Sequence, residues 1–462
     1  MNLPDTQTKT DAPQALLASQ VQGGSTARAW DSYLSKQLPF DRLRAWTKRG
    51  SQSVLQQGLF AGAHFCANVL IARWLVPESY GAFALAYAFF LLLLSVYMAL
   101  IYEPVLVYGA VRYRESLVAY VRVLLGGHAI LLAPMSLLIV IVAPVIGRFY
   151  SHEFQQGFIS LAGAAPLLLL VWLVRGVFYA KLSPRAGVIA GGCYFVGLLF
   201  GIAALHYFGI LSPATALAAM AAVSLAVSVG WLFAMAKHER ESPRVPGMWS
   251  KVLSDHWSYG RWAALTALAS WIPANIYYAL LPARFGLAAT ATLRAVMNLM
   301  YPLLHSFTAL LTLLIPILVR QRELQGLQRA KQTTVQLITL YVPVGIIYLV
   351  IVNTFHNPLL RILYGERYRD LPALMIFCVT LLPVTTGVFG LLSSALRSFE
   401  QPHLVFRGCV ASTLSAIVVG VPITLRFGVS GAAAASVLND LAAIAVLGAY
   451  LATYKGATEV PA

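Results

Sequence analysis

Six polar residues recur along one line of an otherwise apolar stretch: Arg294, Asn298, Tyr301, His305, Thr308 and Thr312. Their spacing of i, i+4, i+7, i+11, i+14 and i+18 keeps all six within about 40° of one direction on a helix. A stripe that continuous is costly against hydrocarbon, so it belongs on a cavity wall or in a helix contact. Arg294 has the most chemistry to offer, because its guanidinium presents a fork of donors to phosphate or carboxylate oxygens. The competing reading has Arg294 snorkelling to an interface or pairing with an acid. Gln57, His64 and Asn68, at i, i+7 and i+11 in the first apolar stretch, either face the same cavity or bond between helices. Asp440, beside Asn439 in the last apolar stretch, and Glu103, before Pro104 at the end of the second, are the carboxyls that could bind H+ or Na+. Asp440 equally fits a structural partner for a basic residue on a neighbouring helix, and Glu103 fits an interfacial position. His128 in the third stretch reads as a helix-contact residue.

The elements that must position these groups follow from composition. Of 462 residues 59% are hydrophobic and only 11% charged, with a mean hydropathy of +0.73. Soluble domains carry roughly 25% charged residues, so the solvent for this chain is lipid. A helical span needs about 20 apolar residues. Runs of that kind place spans at about 53–75, 81–102, 120–146, 157–180, 188–208 and 213–235, then at about 258–281, 287–318, 334–354, 371–393, 405–425 and 429–452. The expected fold is therefore an all-α integral membrane protein of about twelve helices. It comprises a polar tail (1–50), an N-lobe (51–237), a linker (238–257), a C-lobe (258–452) and a short tail (453–462).

The net charge of +16 comes from 33 Lys and Arg against 17 Asp and Glu. Twelve spans place 25 of the basic residues on the side of the termini and 7 on the other, with Arg294 inside a span. The positive-inside rule then puts both termini in the cytoplasm. Basic loops, including Arg175 at the fourth to fifth connection, read as topology determinants that meet anionic lipid heads. No interleaved basic and aromatic patch suggests a nucleic-acid partner. Residues 1–50 lack the apolar core of a signal peptide. The segment Trp30 to Arg49 fits an amphipathic surface helix, a docking segment for a synthesis partner, or a solvated tail. The four cysteines have no CxxC spacing, so neither structural disulfides nor a zinc site is expected.

Two parts of the chain echo each other. Asn68-x3-Ala72 followed by Pro77-x2-Tyr80-Gly81 matches Asn275-x3-Ala279 followed by Pro282-x2-Phe285-Gly286, and Phe208-Gly209-Ile210 matches Phe427-Gly428-Val429. Both pairs join an odd span to an even one, which predicts two six-helix halves of the same orientation.

The stretch Ala72-Arg73-Trp74-Leu75-Val76-Pro77-Glu78-Ser79-Tyr80-Gly81-Ala82-Phe83-Ala84-Leu85-Ala86 resembles the first turn of polysaccharide-export (Wzx-like) flippases of the multidrug/oligosaccharidyl-lipid/polysaccharide (MOP) superfamily. Those proteins typically read A-R-x-L-G-P-E-x-[YF]-G-x-[YF]-A-L-A, and Val76 stands where Gly is usual. Tyr259-Gly260, Trp271 to Asn275, Pro316 and Arg426 to Ala432 are similar to further family stretches. The family's Asp-Arg pair is replaced by Tyr278-Ala279. The resemblance covers about residues 50–455 and implies a V-shaped bundle of two lobes that alternates access around a central cavity.

It also implies a bacterial inner-membrane flippase for an undecaprenyl-pyrophosphate-linked oligosaccharide, serving exopolysaccharide or O-antigen synthesis. Such a protein works beside a polymerase and export machinery. A basic residue early in the eighth span is common in the family and points inward, which would put Arg294, helped by His305, on the pyrophosphate. A cation-coupled drug antiporter of the same superfamily is the second reading; it predicts a compact cavity with a carboxylate as its main charge. A membrane glycan enzyme is the third. It predicts large loops with paired acids, yet no stretch between spans exceeds about 25 residues. With no Walker A, zinc or Ser-His-Asp pattern, a transporter without a resident cofactor is expected.

Overall fold

The computed structural model describes residues 40–109, 112–148, 152–181, 184–238, 247–368, 371–399 and 401–454. Residues 1–39, Arg240, Arg244, Arg369 and Lys455 lie outside these, so most of the tail reading does too. Met1–Ser53 forms one unit, helical from Phe40, and Val54–Ala462 forms the other, which carries everything below.

All regular structure among the described residues is helical. The helices are α1 (Phe40–Trp74), α2 (Pro77–Tyr97), α3 (Leu117–Gly147), α4 (His152–Ala180), α5 (Pro184–Tyr207), α6 (Pro213–His238) and α7 (Met248–Phe285). The bent α8 (Leu287–Met297 and Tyr301–Gln325), α9 (Leu327–Thr354), α10 (Ala373–Ser398), α11 (Pro402–Ser415) and α12 (Val421–Thr453) follow. A π-helical turn, Met98–Tyr102, carries α2 on into Glu103–Tyr108, and a short amphipathic helix, His356–Tyr364, joins α9 to α10. Ten helices are long and apolar enough to cross a membrane, and the bent α8 makes an eleventh. One of the ten, His403–Thr453, is 51 residues long and folds back at Gly428 (φ +60°). Gly420 beside Ala435 and Gly408 beside Leu447 trace that antiparallel hairpin, so it contributes two spans and the described residues make twelve. Gly209 makes the matching turn before α6 with φ +70°. Only a residue without Cβ takes that conformation freely, which explains why both Phe-Gly pairs sit where the chain reverses.

The eighth span departs from the straight rod that its stripe implied. Its two parts meet at 51°. Pro302, in the first turn of the second part, has no N–H to continue the ladder, so the chain bends there. The bend separates the two ends of the polar stripe; of Thr308 and Thr312 only the backbone is described.

The halves are fused near the α1–α2 and α7–α8 turns. One apolar core joins α1–α7 to Leu293, Val352, Leu360, Leu382 and Val437, whereas Phe307, Leu318, Tyr341, Leu396 and Leu447 form a separate core toward the other face. At the fused face a Cβ on Gly81 would overlap the Leu287 carbonyl, so α2 and α8 touch backbone to backbone. Arg73 donates to the Ile362 carbonyl at 3.0 Å across the same face.

Near the opposite face the start of α7 is stapled to the first half. Asp255 takes a 2.6 Å ion pair from Arg112 and a 2.6 Å hydrogen bond from the Tyr113 hydroxyl. His256 Nδ1 donates to the Leu100 carbonyl at 2.9 Å, leaving Nε2 to accept from the Tyr120 hydroxyl at 2.7 Å. That pairing requires a neutral ring, and burial pushes the His256 imidazole below 6.5. The unfolded chain therefore binds the extra proton more readily, so this stabilisation is full above pH 6.5 and declines as pH falls through the lowered value.

Two outcomes are expected. Gly81→Val lowers the melting temperature in detergent by forcing apart packed backbones, a change of about 1–3 kcal/mol; an unchanged melting point would remove the close contact from the account. The wild-type melting temperature falls between pH 7.5 and 5.5 by more than that of His256→Gln; equal slopes would show that His256 does not set this dependence.

Candidate functional site

The site is built where α1, α2, α7 and α8 meet below the fused face. Arg294 lies in the last turn of the first part of α8 and is 6% exposed. Its Nε donates to Asn68 Oδ1 at 3.5 Å and one Nη donates to the Tyr301 hydroxyl at 3.2 Å. The guanidinium lies 5.2 Å from the Tyr87 ring, 5.6 Å from Tyr301 and 5.9 Å from Tyr278. Aromatic faces attract a cation through their quadrupole, but they do not neutralise it. Among the described residues no carboxylate forms an ion pair with Arg294; the pairs there are Arg112–Asp255 and Arg361–Glu366. Arg294 is therefore turned inward, and among the described residues it pairs with no acid. Its hydrogen-bond partners among the described residues, Asn68 and Tyr301, are both neutral.

Beside it is a cavity of about 340 Å³, lined by Arg294, Tyr301, Tyr278 and Asn275 on one side and by Thr386, Ser436, Asn439 and Asp440 on the other, with Leu91 reaching in from α2. Asp440 accepts hydrogen bonds of 2.7 Å from both Thr385 and Thr386. Asn439 donates to the Tyr277 hydroxyl at 2.7 Å and to the Pro273 carbonyl at 3.2 Å, tying α12 to α7. The cavity is thus lined by a guanidinium and a hydrogen-bonded carboxyl that do not pair with each other. Its volume is at the lower end of small-ligand pockets, enough for a charged head group and not for a whole glycolipid. No cluster of His, Cys, Asp and Glu suited to a metal occurs among the described residues.

The other sequence candidates are distributed unevenly. Asn68 meets Arg294 directly, and its amide donates back to the His64 carbonyl at 3.1 Å. His64 sits between the Tyr87 and Tyr194 hydroxyls, 3.4 Å from each, in the first half of the bundle. Tyr301 lines the cavity, while His305 stacks on it at 5.4 Å and is exposed. Asn298 points away: it is 1% exposed and its Nδ2 donates to the Tyr364 hydroxyl at 2.9 Å, which donates to the Ala295 carbonyl at 3.0 Å. Gln57 is exposed, and its neighbour Gln56 is the one turned inward. Glu103 is off the cavity, near Tyr259 and Arg397. His128 bonds the Tyr97 hydroxyl at 2.8 Å. Arg175, read from sequence as a topology determinant, is 5% exposed. Tyr87, Tyr278, Thr385 and Thr386 escaped the sequence reading. Tyr80 and Tyr87 share a helix face at i, i+7, which was the available signal for one of them.

No protein-family model matches the chain, and no curated protein matches it. Solved structures do. An inward-facing multidrug-resistance MATE family transporter of the MOP superfamily aligns with a TM-score of 0.69 at 15% identity, over 86% of this chain and 94% of that one. Lipid II flippase MurJ in an inward closed conformation aligns at 0.64 and 13% identity, over 88% of each. An outward-facing MATE family transporter aligns at 0.56 and 15% identity, over 88% of this chain and 94% of that one. The chain is a multi-pass membrane protein with the all-α fold of MOP superfamily transporters. At these identities the likeness fixes the architecture and leaves substrate to the residues.

Replacing Asn298 by Val tests the division between structural and cavity residues. It removes the donor to the Tyr364 hydroxyl, which keeps its own bond to the Ala295 carbonyl, and is expected to cost about 1 kcal/mol of stability with transport per folded molecule unchanged. Lost transport at normal stability would move Asn298 into the site.

Proposed function

We propose that this protein is a flippase that moves a lipid-linked, pyrophosphate-bearing oligosaccharide across a bacterial cytoplasmic membrane by alternating access. The observation that carries the reading is Arg294, a buried guanidinium on a cavity wall with no carboxylate partner among the described residues. A cation kept in such a place is costly until an anion reaches it. A pyrophosphate suits it well, since its oxygens match the guanidinium fork and its charge needs neutralising away from water. The cavity holds the head group, and the lipid chain stays in the bilayer beside the helices.

The positive-inside count supports placing the fused face outside, with both termini in the cytoplasm. In that orientation the core confined to the second half lies toward the cytoplasm, as in a state open inward. The higher TM-score with an inward-facing than with an outward-facing relative is in keeping with this. Asp440, held by two threonine hydroxyls across the cavity from Arg294, is the proposed ion-coupling residue, taking H+ or Na+. Glu103 is a weaker candidate because it does not line the cavity. Polysaccharide polymerase and export machinery are the natural partners of such a flippase.

The same carboxyl gives the second reading, a cation-coupled antiporter of small molecules, its specific support. A drug-sized cation would fit the cavity beside Asp440, but Arg294 would repel it.

Arg294→Ala in the native host is expected to cut surface polysaccharide at least tenfold with normal protein level, a loss about the size of one charge-assisted contact. Wild-type polymer from Arg294→Ala would end the anion-anchor reading. Asp440→Asn is expected to abolish gradient-driven transport while leaving substrate binding intact.

A further inference from the structure

Arg294 has a counterpart in the first half of the bundle. Arg175 on α4 is 5% exposed, and its guanidinium lies between two aromatic faces, 4.3 Å from Phe60 and 4.3 Å from Trp172. Its Nε is buried without a hydrogen-bond partner among the described residues, and no carboxylate pairs with it there. One helical turn before Phe60, on the same side of α1, Gln56 is 0% exposed with both amide atoms unsatisfied. The space that Gln56 fills exists because residue 187 is glycine; a Cβ there would collide with the amide. Two donors of this kind, one of them charged, are not left idle in an apolar bundle without cost.

The two arginines are joined by a continuous polar and aromatic path. From Arg294 it passes through Tyr87 to His64, which bonds both the Tyr87 and Tyr194 hydroxyls. The Tyr194 ring then packs on Phe60 at 5.0 Å, and Phe60 faces Arg175. His64 lies within electrostatic reach of both guanidinium groups. The described part of this path holds no acid, so its charge favours anions throughout.

We propose that Arg175, with the Gln56 amide, forms a second anion-binding station in the first half of the bundle for a phosphate or pyrophosphate group. It extends the reading of Arg294 and rests on it for the identity of the anion. Arg175 supplies the charge and a free Nε donor, Gln56 supplies amide donors, and Phe60 and Trp172 hold the guanidinium plane. A head group would leave one cation for the other along the tyrosine-lined path, so neither station need bind tightly enough to trap it. Arg175 is thus a binding residue, where its place near the end of the fourth span alone suggested a topology signal.

The test uses the full chain in lipid nanodiscs and equilibrium binding of inorganic pyrophosphate, with geranylgeranyl pyrophosphate as the lipid-bearing probe. The expected stoichiometry is two in wild type, and one in Arg175→Gln and in Arg294→Gln, with Arg175→Lys intermediate in affinity. Wild-type binding by Arg175→Gln, with Arg294→Gln reduced, would overturn the second station and leave the reading of Arg294 standing. Wild-type binding by Arg294→Gln, with Arg175→Gln reduced, would overturn the anchor reading and keep an anion site at Arg175. Should Arg175→Gln not fold, Gln56→Leu decides: weaker binding at one of two sites supports the station, and unchanged binding overturns it. Binding of the lipid probe alone would make the ligand a lipid head group; binding of inorganic pyrophosphate alone would make it a free anion.

Discussion

A positive charge held inside a lipid-solvated bundle without an acid to neutralise it constrains much of what surrounds it. Arg294 can sit there because four helices converge on it. Asn68 from α1 accepts from Nε, Tyr301 beyond the bend of α8 accepts from Nη, and Tyr87 and Tyr278 from α2 and α7 offer ring faces. These groups come from both halves of the chain. The cage therefore exists only while the halves are closed at the fused face, where α2 and α8 meet backbone to backbone. Charge placement and closure are one structural fact: a movement that separates the halves there must also expose or reposition the guanidinium.

That coupling gives alternating access a physical handle. A ligand shifts a conformational equilibrium only by its differential interaction with the two states. Under the proposed function, an anion that neutralised Arg294 would change the cost of keeping it caged, and so the balance between a closed and an open fused face. Asp440 sits across the same cavity on α12, bonded to α10 through Thr385 and Thr386. A cation bound there would alter the field that Arg294 feels without touching it. The staple at the start of α7 has a different role. Asp255 and His256 fix that helix to the first half, so α7 can act as the element carried with one half while touching the cavity of the other.

The fold was legible in the sequence to a large degree. Composition fixed the solvent, twenty-residue apolar runs fixed the spans, and the paired Phe-Gly turns were the positive-φ reversals the pattern implied. The site was legible in part. Arg294 could be singled out because a lone arginine among apolar residues is conspicuous, and Asn68 because its spacing put it on the inner face. Asn298 and Gln57 misled for one reason: a helical stripe assumes a straight axis and an exact register. The break before Pro302 turned Asn298 into Tyr364, and a 100° offset exchanged Gln57 for Gln56. Arg175 was read as a topology signal because a basic residue a few positions from a span's end looks like one whether or not it turns inward. The tyrosine cage as a whole had no sequence signature, since Tyr87 comes from one half of the chain and Tyr278 and Tyr301 from the other.

The most direct measurement of the central claim is to delete the gene in its host and quantify surface polysaccharide together with lipid-linked oligosaccharide in the membrane. The account predicts lost polymer with accumulated lipid-linked repeat units on the cytoplasmic side. Intact polymer with increased sensitivity to cationic drugs would contradict it and favour the antiporter.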